Sequence, residues 1–123
     1  MFNELTAEEK DIIEDKGTET PFSGEYNDFY PTEGVFVCRR CSVPLFDAKY
    51  KFESGCGWPS FDEYFKGTVK ESLDADGRRT EITCVNCGGH LGHVFRGEKL
   101  NENDTRHCVN SLSIKFIEKH EAR

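Results

Sequence analysis

The residues best suited to chemistry in this sequence are six cysteines, which their spacing divides into two groups. Four of them form two Cys-x-x-Cys pairs, Cys38 with Cys41 and Cys84 with Cys87. Each pair can present two thiolates from one tight turn, and two pairs complete the closed tetrahedral shell of a structural zinc site. The spacing therefore predicts one structural Zn²⁺ ion. The alternatives are that one pair is a redox dithiol or that these cysteines are merely buried.

The other two cysteines, Cys56 and Cys108, have neighbours that favour reactive thiols. Cys56 lies between two glycines, two residues before the only tryptophan, Trp58, and Cys108 follows Arg106 by two positions. A nearby cation favours the thiolate, so Cys108 is the predicted nucleophile and Cys56 its predicted redox partner. The alternative is that both are inert, buried side chains.

Two histidines, His90 and His93, lie three positions apart. They could both be metal ligands, or one could be a hydrogen-bonded core residue. Taken with the spare cysteines, Trp58 and Asn110, they indicate a site for thiol chemistry with a proton donor nearby, a role that imidazole suits near pH 7.

Length and composition restrict the class of protein. The 123 residues are enough for a single domain, 1–123, and ten phenylalanines indicate a small core built on rings. The formal charge of −7 argues against nucleic acid as a partner. No apolar run is long enough to cross a membrane, and no signal peptide is recognisable, so the expected location is the cytoplasm.

The elements expected to position these residues are mostly short strands. A helix is predicted over about 6–16, with Thr6 and Glu9 at capping-box spacing and Gly17 as its terminator. A β domain is predicted over about 33–117. Its predicted strands are Gly34–Cys38, Leu45–Phe52, Val69–Leu73, Arg78–Val85 and His107–Ile117.

Two of these predictions bear on the site. Asp74 to Gly77 should form a hairpin turn between two strands. In the last strand, alternation places Cys108, Asn110, Leu112, Ile114 and Phe116 on one face, so Cys108 and Asn110 should point the same way as core side chains.

Several segments in fixed order resemble the methionine-R-sulfoxide reductase family, MsrB. They are Gly17 to Glu19, Pro21 to Tyr26, the two Cys-x-x-Cys pairs, Ser54 to Phe61 (SGCGWPSF), Arg79 to Glu81, His90 to Phe95 (HLGHVF) and Arg106 to Ser111 (RHCVNS). Together they extend from about Leu5 to Phe116, nearly the whole chain.

The resemblance implies two antiparallel sheets, Cys108 as catalytic cysteine and Cys56 as resolving cysteine. It also places His90, His93, Arg106 and Asn110 in the active site, and Cys38, Cys41, Cys84 and Cys87 on zinc. Trp58 would bind the S-methyl group of the substrate, and Phe95 is a second predicted substrate-binding residue. The implied reaction is thiol-dependent reduction of methionine-R-sulfoxide, peptide-bound or free, with recycling by thioredoxin or a similar dithiol and a monomeric enzyme as the default.

The chain departs from the family pattern at Asn27, Arg96, His107, Leu112 and the 97–105 loop. These departures concern the rim of the predicted pocket. Two other functions use the same residues. A non-catalytic zinc module would leave Cys56, Cys108 and Trp58 without a role, and an acyl hydrolase built on Cys108, His93 and Asn110 would leave Cys56 without one.

Overall fold

Residues 2–74 and 77–118, which the computed structural model describes, fold as two antiparallel β-sheets with one short α-helix. The helix, α1, spans Ala7–Ile13, and two 3-10 turns cover Ala48–Tyr50 and Ser111–Ser113. The strands in these ranges are β1 Val35–Cys38, β2 Pro44–Asp47, β3 Lys51–Phe52, β4 Ser60–Phe61, β5 Val69–Leu73, β6 Thr80–Cys84, β7 His90–Arg96, β8 Thr105–Val109 and β9 Ile114–Ile117. The predicted fold class, mainly β with two antiparallel sheets, is confirmed.

The sheet topology places the site-bearing strands in the middle of the larger sheet. In the described part of the chain, the smaller sheet has the strand order β2-β1-β9 and the larger one β3-β4-β8-β7-β6-β5. Strand β8, which carries Cys108, therefore has hydrogen-bonded neighbours on both sides. Its backbone position is fixed by two ladders.

Aromatic rings form much of the core between the sheets. Phe36 and Phe46 of the smaller sheet are fully buried and contact Phe61 of β4, with ring centroids 5.2 and 4.2 Å apart respectively. The aliphatic side chains buried with them are Leu45, Ile82, Leu91, Val109 and Ile114. The ring-rich core expected from composition is thus observed.

Helix α1 begins as predicted but ends earlier. The Thr6 hydroxyl accepts the Glu9 N–H, and the Glu9 carboxylate accepts the Thr6 N–H, which completes the capping box. The helix stops at Ile13, and Lys16 (φ 58°), not Gly17, takes the left-handed conformation. The prediction for Gly17 is therefore wrong. No helix within residues 2–74 and 77–118 has the length and apolarity to span a bilayer.

Two predicted strands are interrupted or bounded by turns. Leu45–Phe52 is divided by the 3-10 turn at Ala48–Tyr50, whose first residues are held by the Asp47 side chain accepting the Lys49 N–H. The predicted pairing of β5 with β6 is confirmed, and the Asp74 N–H donates to the carbonyl oxygen of Arg79. Ala75 and Asp76 of the predicted turn lie outside the described residues.

The prediction of one strand over His107–Ile117 is wrong. The chain leaves the larger sheet after Val109, turns through Ser111–Ser113 and enters the smaller sheet as β9. Within β8 the buried side chains are His107 and Val109, so Cys108 points away from this core face and into a cavity. Alternation holds within β8, but the face buried in the core is the opposite one, so the prediction that Cys108 points the same way as core side chains is wrong. Beyond Val109 the turn ends the alternation, and its buried Ser111 and Ser113 hydroxyls bond to backbone groups.

Candidate active site

A cavity of about 140 Å³ lies over the middle of the larger sheet, between β7, β8 and the loop that joins β3 to β4. All eight residues that the sequence predicts as catalytic or substrate-binding line it: Cys56, Trp58, His90, His93, Phe95, Arg106, Cys108 and Asn110. Thr18, Arg79, Gly92 and Val109 complete the lining. The fold therefore brings together side chains from distant segments of the sequence.

Two unbridged thiols face each other in this cavity. The sulfurs of Cys56 and Cys108 are 4.0 Å apart. Cys108 is held on β8, whereas Cys56 lies in a loop whose flanking glycines have φ angles of 77° and 98°, a conformation that glycine adopts without a steric cost. A disulfide needs sulfurs about 2 Å apart, so a small movement of the Cys56 loop is enough to form one.

The two thiols share one proton between them. Hydrogen bonds from the Cys108 thiol and from the hydroxyls of Ser54 and Ser60 lower the pKa of Cys56 to about 4. The same thiol–thiol bond, together with burial, raises the pKa of Cys108. The reduced pair thus holds one negative charge at neutral pH, on Cys56, and Cys108 keeps the proton. The sequence had suggested the thiolate on Cys108 instead.

A cation adjoins the pair and is itself paired with an acid. The Arg106 guanidinium donates to both carboxylate oxygens of Glu98, at 2.8 and 3.0 Å, and lies over the Phe95 ring, 4.4 Å from its centroid. Its charge lowers the pKa of Cys108, although by less than the contact with Cys56 raises it. Glu98 therefore partly neutralises the cation that favours a thiolate at Cys108.

Each of the two histidines has a carboxylate partner that fixes its ring. Nε2 of His93 is 2.7 Å from Asp74 Oδ2, and Nδ1 of His90 is 2.8 Å from Glu81 Oε2. Because a carboxylate only accepts, the bonded nitrogens carry the protons, which leaves Nδ1 of His93 and Nε2 of His90 for other partners. The two ring centroids are 5.6 Å apart.

The environments of these two imidazoles differ. Burial lowers the pKa of His90, whose side chain is 4% exposed, so its neutral form is favoured at pH 7. His93 has a more accessible side chain, 14% exposed. Among residues 2–74 and 77–118, the one group of side chains positioned to share a metal ion consists of cysteines, so the interpretation of both histidines as metal ligands has no support.

Trp58 and Asn110 are held by the backbone of a single loop residue. The indole N–H of Trp58 donates to the carbonyl oxygen of Glu19 at 3.0 Å, and Asn110 Oδ1 accepts the Glu19 N–H at 3.1 Å. The Asn110 amide group also donates to the carbonyl of Leu91. A Cys-His-Asn hydrolase needs the asparagine to orient the histidine, but here Asp74 takes that position on His93.

Beside Cys108, the wall of the cavity is the backbone of Gly92, which has no side chain. A Cβ built on Gly92 of β7 would lie 1.8 Å from the carbonyl oxygen of Cys108. Gly92 pairs with Val109 across the β7–β8 ladder. Position 92 therefore admits glycine alone at this separation of the two strands.

The four remaining cysteines form a separate cluster. The sulfurs of Cys38, Cys41, Cys84 and Cys87 all lie within 4.8 Å of one another, and two of the sulfur pairs are 3.6 Å apart. Four thiolates around a tetrahedral zinc ion, with Zn–S bonds of about 2.3 Å, lie about 3.8 Å from one another. The cluster is therefore compatible with the predicted zinc site.

Sequence reasoning missed the carboxylates that orient the site. The carboxylates of Asp74, Glu81 and Glu98 each bond to a cavity residue, and Glu19 bonds to Asn110 and Trp58 through its backbone while its carboxylate holds the turn at Ser111 and Leu112; residue type and spacing assign a role to none of the four. Glu19 and Glu81 lie in segments that carry the family resemblance, which was the one available signal. The contacts of Asp74 and Glu98 arise from strand register and loop conformation, which the sequence alone does not specify.

A β fold that holds two unbridged thiols 4.0 Å apart, beside imidazoles and an arginine, defines a thiol-dependent oxidoreductase. More particularly, the chain belongs to the SelR domain family, whose model matches residues 5–118. The resemblance and the enzyme class predicted from the sequence are thereby confirmed.

Relatives of this chain in plants are named peptide methionine sulfoxide reductases of type B. The chain is 55% identical over 113 residues to peptide methionine sulfoxide reductase B5 of Oryza sativa subsp. japonica, covering 91% of this chain and 82% of the relative. It is 54% identical over 113 residues to peptide methionine sulfoxide reductase B5 of Arabidopsis thaliana, covering 91% and 81% respectively. It is also 54% identical over 114 residues to the chloroplastic B3 protein of Oryza sativa subsp. japonica, covering 92% of this chain but about half, 49%, of that relative.

A solved structure shares part of the fold at low sequence identity. The Mis18 'Yippee-like' domain superposes with a TM-score of 0.53 at 14% identity, over 71% of this chain and 97% of that one. At this identity the likeness concerns the fold alone.

Proposed function

We propose that this protein reduces methionine-R-sulfoxide, in oxidised proteins and peptides or as the free amino acid, to methionine. Cys108 is the nucleophile, and Cys56 is the thiol that resolves the oxidised intermediate. The observation that carries this proposal is the 4.0 Å separation of the two sulfurs in a cavity that also contains Trp58 and two imidazoles.

The first step starts with the transfer of the shared proton. Cys108 passes its proton to the Cys56 thiolate along their existing contact, and the new Cys108 thiolate lies beside the Arg106 cation. The thiolate attacks the sulfoxide group, and the oxygen takes a proton as the S–O bond of the substrate breaks. The products are methionine and a sulfenic acid on Cys108, so the cysteine sulfur loses two electrons and the substrate sulfur gains them.

His93 is the better placed proton donor for this step. Its ring is oriented by Asp74, Nδ1 remains available, and its side chain is more exposed than that of His90. His90, whose pKa is lowered by burial, serves in its neutral form as a packing and hydrogen-bonding partner. For this step His93 acts as the imidazolium, with Nε2–H bonded to Asp74 and a second proton on Nδ1 that passes to the sulfoxide oxygen. The neutral ring left behind regains its Nδ1 proton from solvent.

The second step forms a disulfide. The Cys56 sulfur attacks the Cys108 sulfenic acid, the S–S bond forms, and the S–OH bond breaks. The Cys56 proton joins the leaving hydroxide to give water. An external dithiol such as thioredoxin then reduces the disulfide by two thiol exchanges, so each cycle converts one sulfoxide and one dithiol into methionine, water and an oxidised dithiol.

The cavity walls offer a basis for selecting one epimer. Trp58 provides an apolar surface for the S-methyl group, Phe95 provides a second apolar surface, and the imidazoles mark the side on which the oxygen accepts its proton. The R and S epimers exchange methyl and oxygen positions around sulfur. One epimer therefore places its oxygen near the proton donor and the other places it near the indole.

The four-cysteine cluster fits a structural Zn²⁺ ion that cross-links the two Cys-x-x-Cys turns and takes no part in the reaction, since thiolates fill all four positions. We place the enzyme in the cytoplasm as a monomer, in the repair of proteins after oxidative stress. Such repair converts the polar sulfoxide back to an apolar thioether.

A single-turnover experiment tests the assignment of the two thiols. Cys56→Ser should release one equivalent of methionine per enzyme and accumulate a sulfenic acid on Cys108, but should not cycle with thioredoxin. Mass spectrometry of the wild-type enzyme after one turnover should locate a Cys56–Cys108 disulfide.

The same assay addresses the substrate. Methionine-R-sulfoxide should be reduced and the S epimer left intact. Equal consumption of both epimers, or cycling of Cys56→Ser at the wild-type rate, would contradict the proposal.

A further inference from the structure

Glu19 lies in the segment between α1 and β1 and bonds to two distant parts of the chain through its backbone and its side chain. Its N–H donates to Asn110 Oδ1 at 3.1 Å, and its carbonyl oxygen accepts the Trp58 indole N–H at 3.0 Å. Its carboxylate accepts the backbone N–H groups of Ser111 and Leu112, at 2.7 and 3.2 Å. One residue therefore connects the loop that carries Trp58 with the turn that carries Asn110.

The carboxylate is the anchor of this arrangement. The N–H groups of Ser111 and Leu112 lie in a 3-10 turn at the end of β8, directly after Asn110. Hydrogen bonds to a charged acceptor are shorter and stronger than neutral ones. They fix the side chain of Glu19, and with it the backbone groups that hold Trp58 and Asn110.

The absence of a side chain at Gly24 leaves room for the Glu19 carboxylate beside Ser111. A Cβ built on Gly24 would lie 2.5 Å from Glu19 Oε1 and 2.2 Å from Ser111 Oγ, so Gly24 keeps the position open. The Ser111 hydroxyl in turn accepts the N–H of Tyr26. Glu19 is half-buried and does not line the cavity itself, so it acts on the site through its neighbours.

We propose that Glu19 is a positioning residue for sulfoxide binding, which fixes the Trp58 indole against the cavity in register with Asn110. This inference rests on the proposed function, since it assigns Trp58 to the substrate. Loss of the carboxylate releases the 19–20 backbone from the turn at 111–112, and the indole loses its fixed acceptor. Substrate binding then suffers more than the chemical step, because the thiols and His93 have other supports.

The test compares Glu19→Gln with Glu33→Gln, a matched change at an exposed carboxylate of the same segment. The amide of Glu19→Gln presents an NH₂ group to one of the two backbone N–H donors, so at least one of these bonds is lost. KM for methionine-R-sulfoxide should rise about fivefold or more, with kcat changed by less. Glu33→Gln should leave both constants unchanged.

The single tryptophan of the chain provides a second measurement that needs no substrate. Fluorescence of Trp58 should shift to longer wavelength in Glu19→Gln and stay unchanged in Glu33→Gln, since the indole gains solvent and loses a fixed partner. Glu19→Asp, which keeps the charge but shortens the side chain, should behave like Glu19→Gln and serves in its place if that variant does not fold.

The outcomes separate this inference from the proposed function. A wild-type protein that fails to reduce the sulfoxide overturns the function. A wild-type enzyme that is active, with an unchanged KM and an unchanged emission spectrum in the Glu19 variants, overturns the positioning role. A lower melting temperature alone, with KM and emission unaltered, also overturns it, because KM does not depend on the fraction of folded enzyme.

Discussion

The chain uses the same side chain for two opposite purposes in two regions. In the cluster of Cys38, Cys41, Cys84 and Cys87, four sulfurs face one another, and none of these residues lines the cavity. In the pair, two sulfurs 4.0 Å apart face a cavity with an arginine and two imidazoles. A cysteine suits a structural role where four sulfurs together can fill every coordination position of an ion. It is reactive where a hydrogen-bond donor favours its thiolate and a ligand can reach the sulfur.

The supports of the two regions differ in the same way. The cluster joins the ends of β1 and β6, which belong to different sheets, so it links distant parts of the fold. The pair joins a fixed strand to a glycine-flanked loop. The cluster therefore resists movement, whereas the pair requires a short movement to close its disulfide.

Loss of the cluster should have the largest effect. Cys84→Ser, or removal of zinc from the wild type with a chelator, should lower the melting temperature sharply or unfold the chain. Zinc bound by a closed site contributes about 10 kcal/mol, comparable to the whole stability of a domain. Circular dichroism melts with metal analysis measure this. Cys56→Ser is the control and should keep both its zinc and its melting temperature, and equal melts for Cys84→Ser and wild type would remove the structural role of the cluster.

The pair should show the reverse pattern. Cys108→Ser should lower sulfoxide reduction by about a thousandfold or more, because the hydroxyl is not ionised at neutral pH. Its melting temperature and zinc content should stay close to those of the wild type. Substantial residual turnover, measured as methionine released with dithiothreitol as reductant, would reject Cys108 as nucleophile.

The pH dependence of cysteine alkylation should also distinguish the pair from the cluster. With its pKa lowered to about 4, Cys56 stays ionised as pH falls from 7.5 to 5.5, and its reaction with iodoacetamide should change little over that range. An ordinary thiol slows by about a hundredfold between these pH values. Peptide mapping by mass spectrometry should show Cys56 modified first and the four cysteines of the cluster intact.

Cys108→Ala is the control for this profile. It removes the hydrogen bond that contributes most to the lowered pKa of Cys56, so the alkylation rate should then fall as the solution becomes more acidic. A profile that is identical in the variant and the wild type would show that the two thiols do not share a proton.

The smallest expected effect concerns Glu98. Glu98→Gln leaves the Arg106 charge unpaired beside the thiols, which favours the Cys108 thiolate and should speed its alkylation about two- to fivefold at low salt. Glu102→Gln, at an exposed carboxylate of the same loop, should change nothing. A reaction rate at Cys108 that is insensitive to Glu98 and to salt would show that Arg106 does not influence the pair.

Residue type and spacing were sufficient to identify the two thiol regions. Two Cys-x-x-Cys pairs indicate a tetrahedral site wherever the fold brings them together, and the glycines and tryptophan around Cys56 indicate a loop at a ligand. The location of the charge was not predictable in this way. It depends on the hydroxyls of Ser54 and Ser60 and on the distance to Cys108, which follow from the three-dimensional arrangement.

The local pattern of residue types likewise predicted the positions of strands better than the positions where strands end. Val69–Leu73 was predicted with its observed bounds because a hairpin turn signal directly follows it. The break after Val109 has no glycine or proline to indicate it in the sequence. It is stabilised by Glu19, whose carboxylate binds Ser111 and Leu112, 92 and 93 positions further along the chain. Helix α1 also packs more closely on the fold than its polar sequence indicates, with Ile12 and Ile13 both buried.

The bare backbone at Gly92 has a consequence for anyone who wishes to redesign the substrate preference of this protein. Saturation mutagenesis of the pocket should yield active variants with many different residues at the rim, around Phe95 and the 97–105 loop. At position 92 every active variant should retain glycine. Any methyl group there would push against the carbonyl of Cys108 and separate the two central strands. Selectivity in this scaffold has to be engineered from the edge of the pocket inwards.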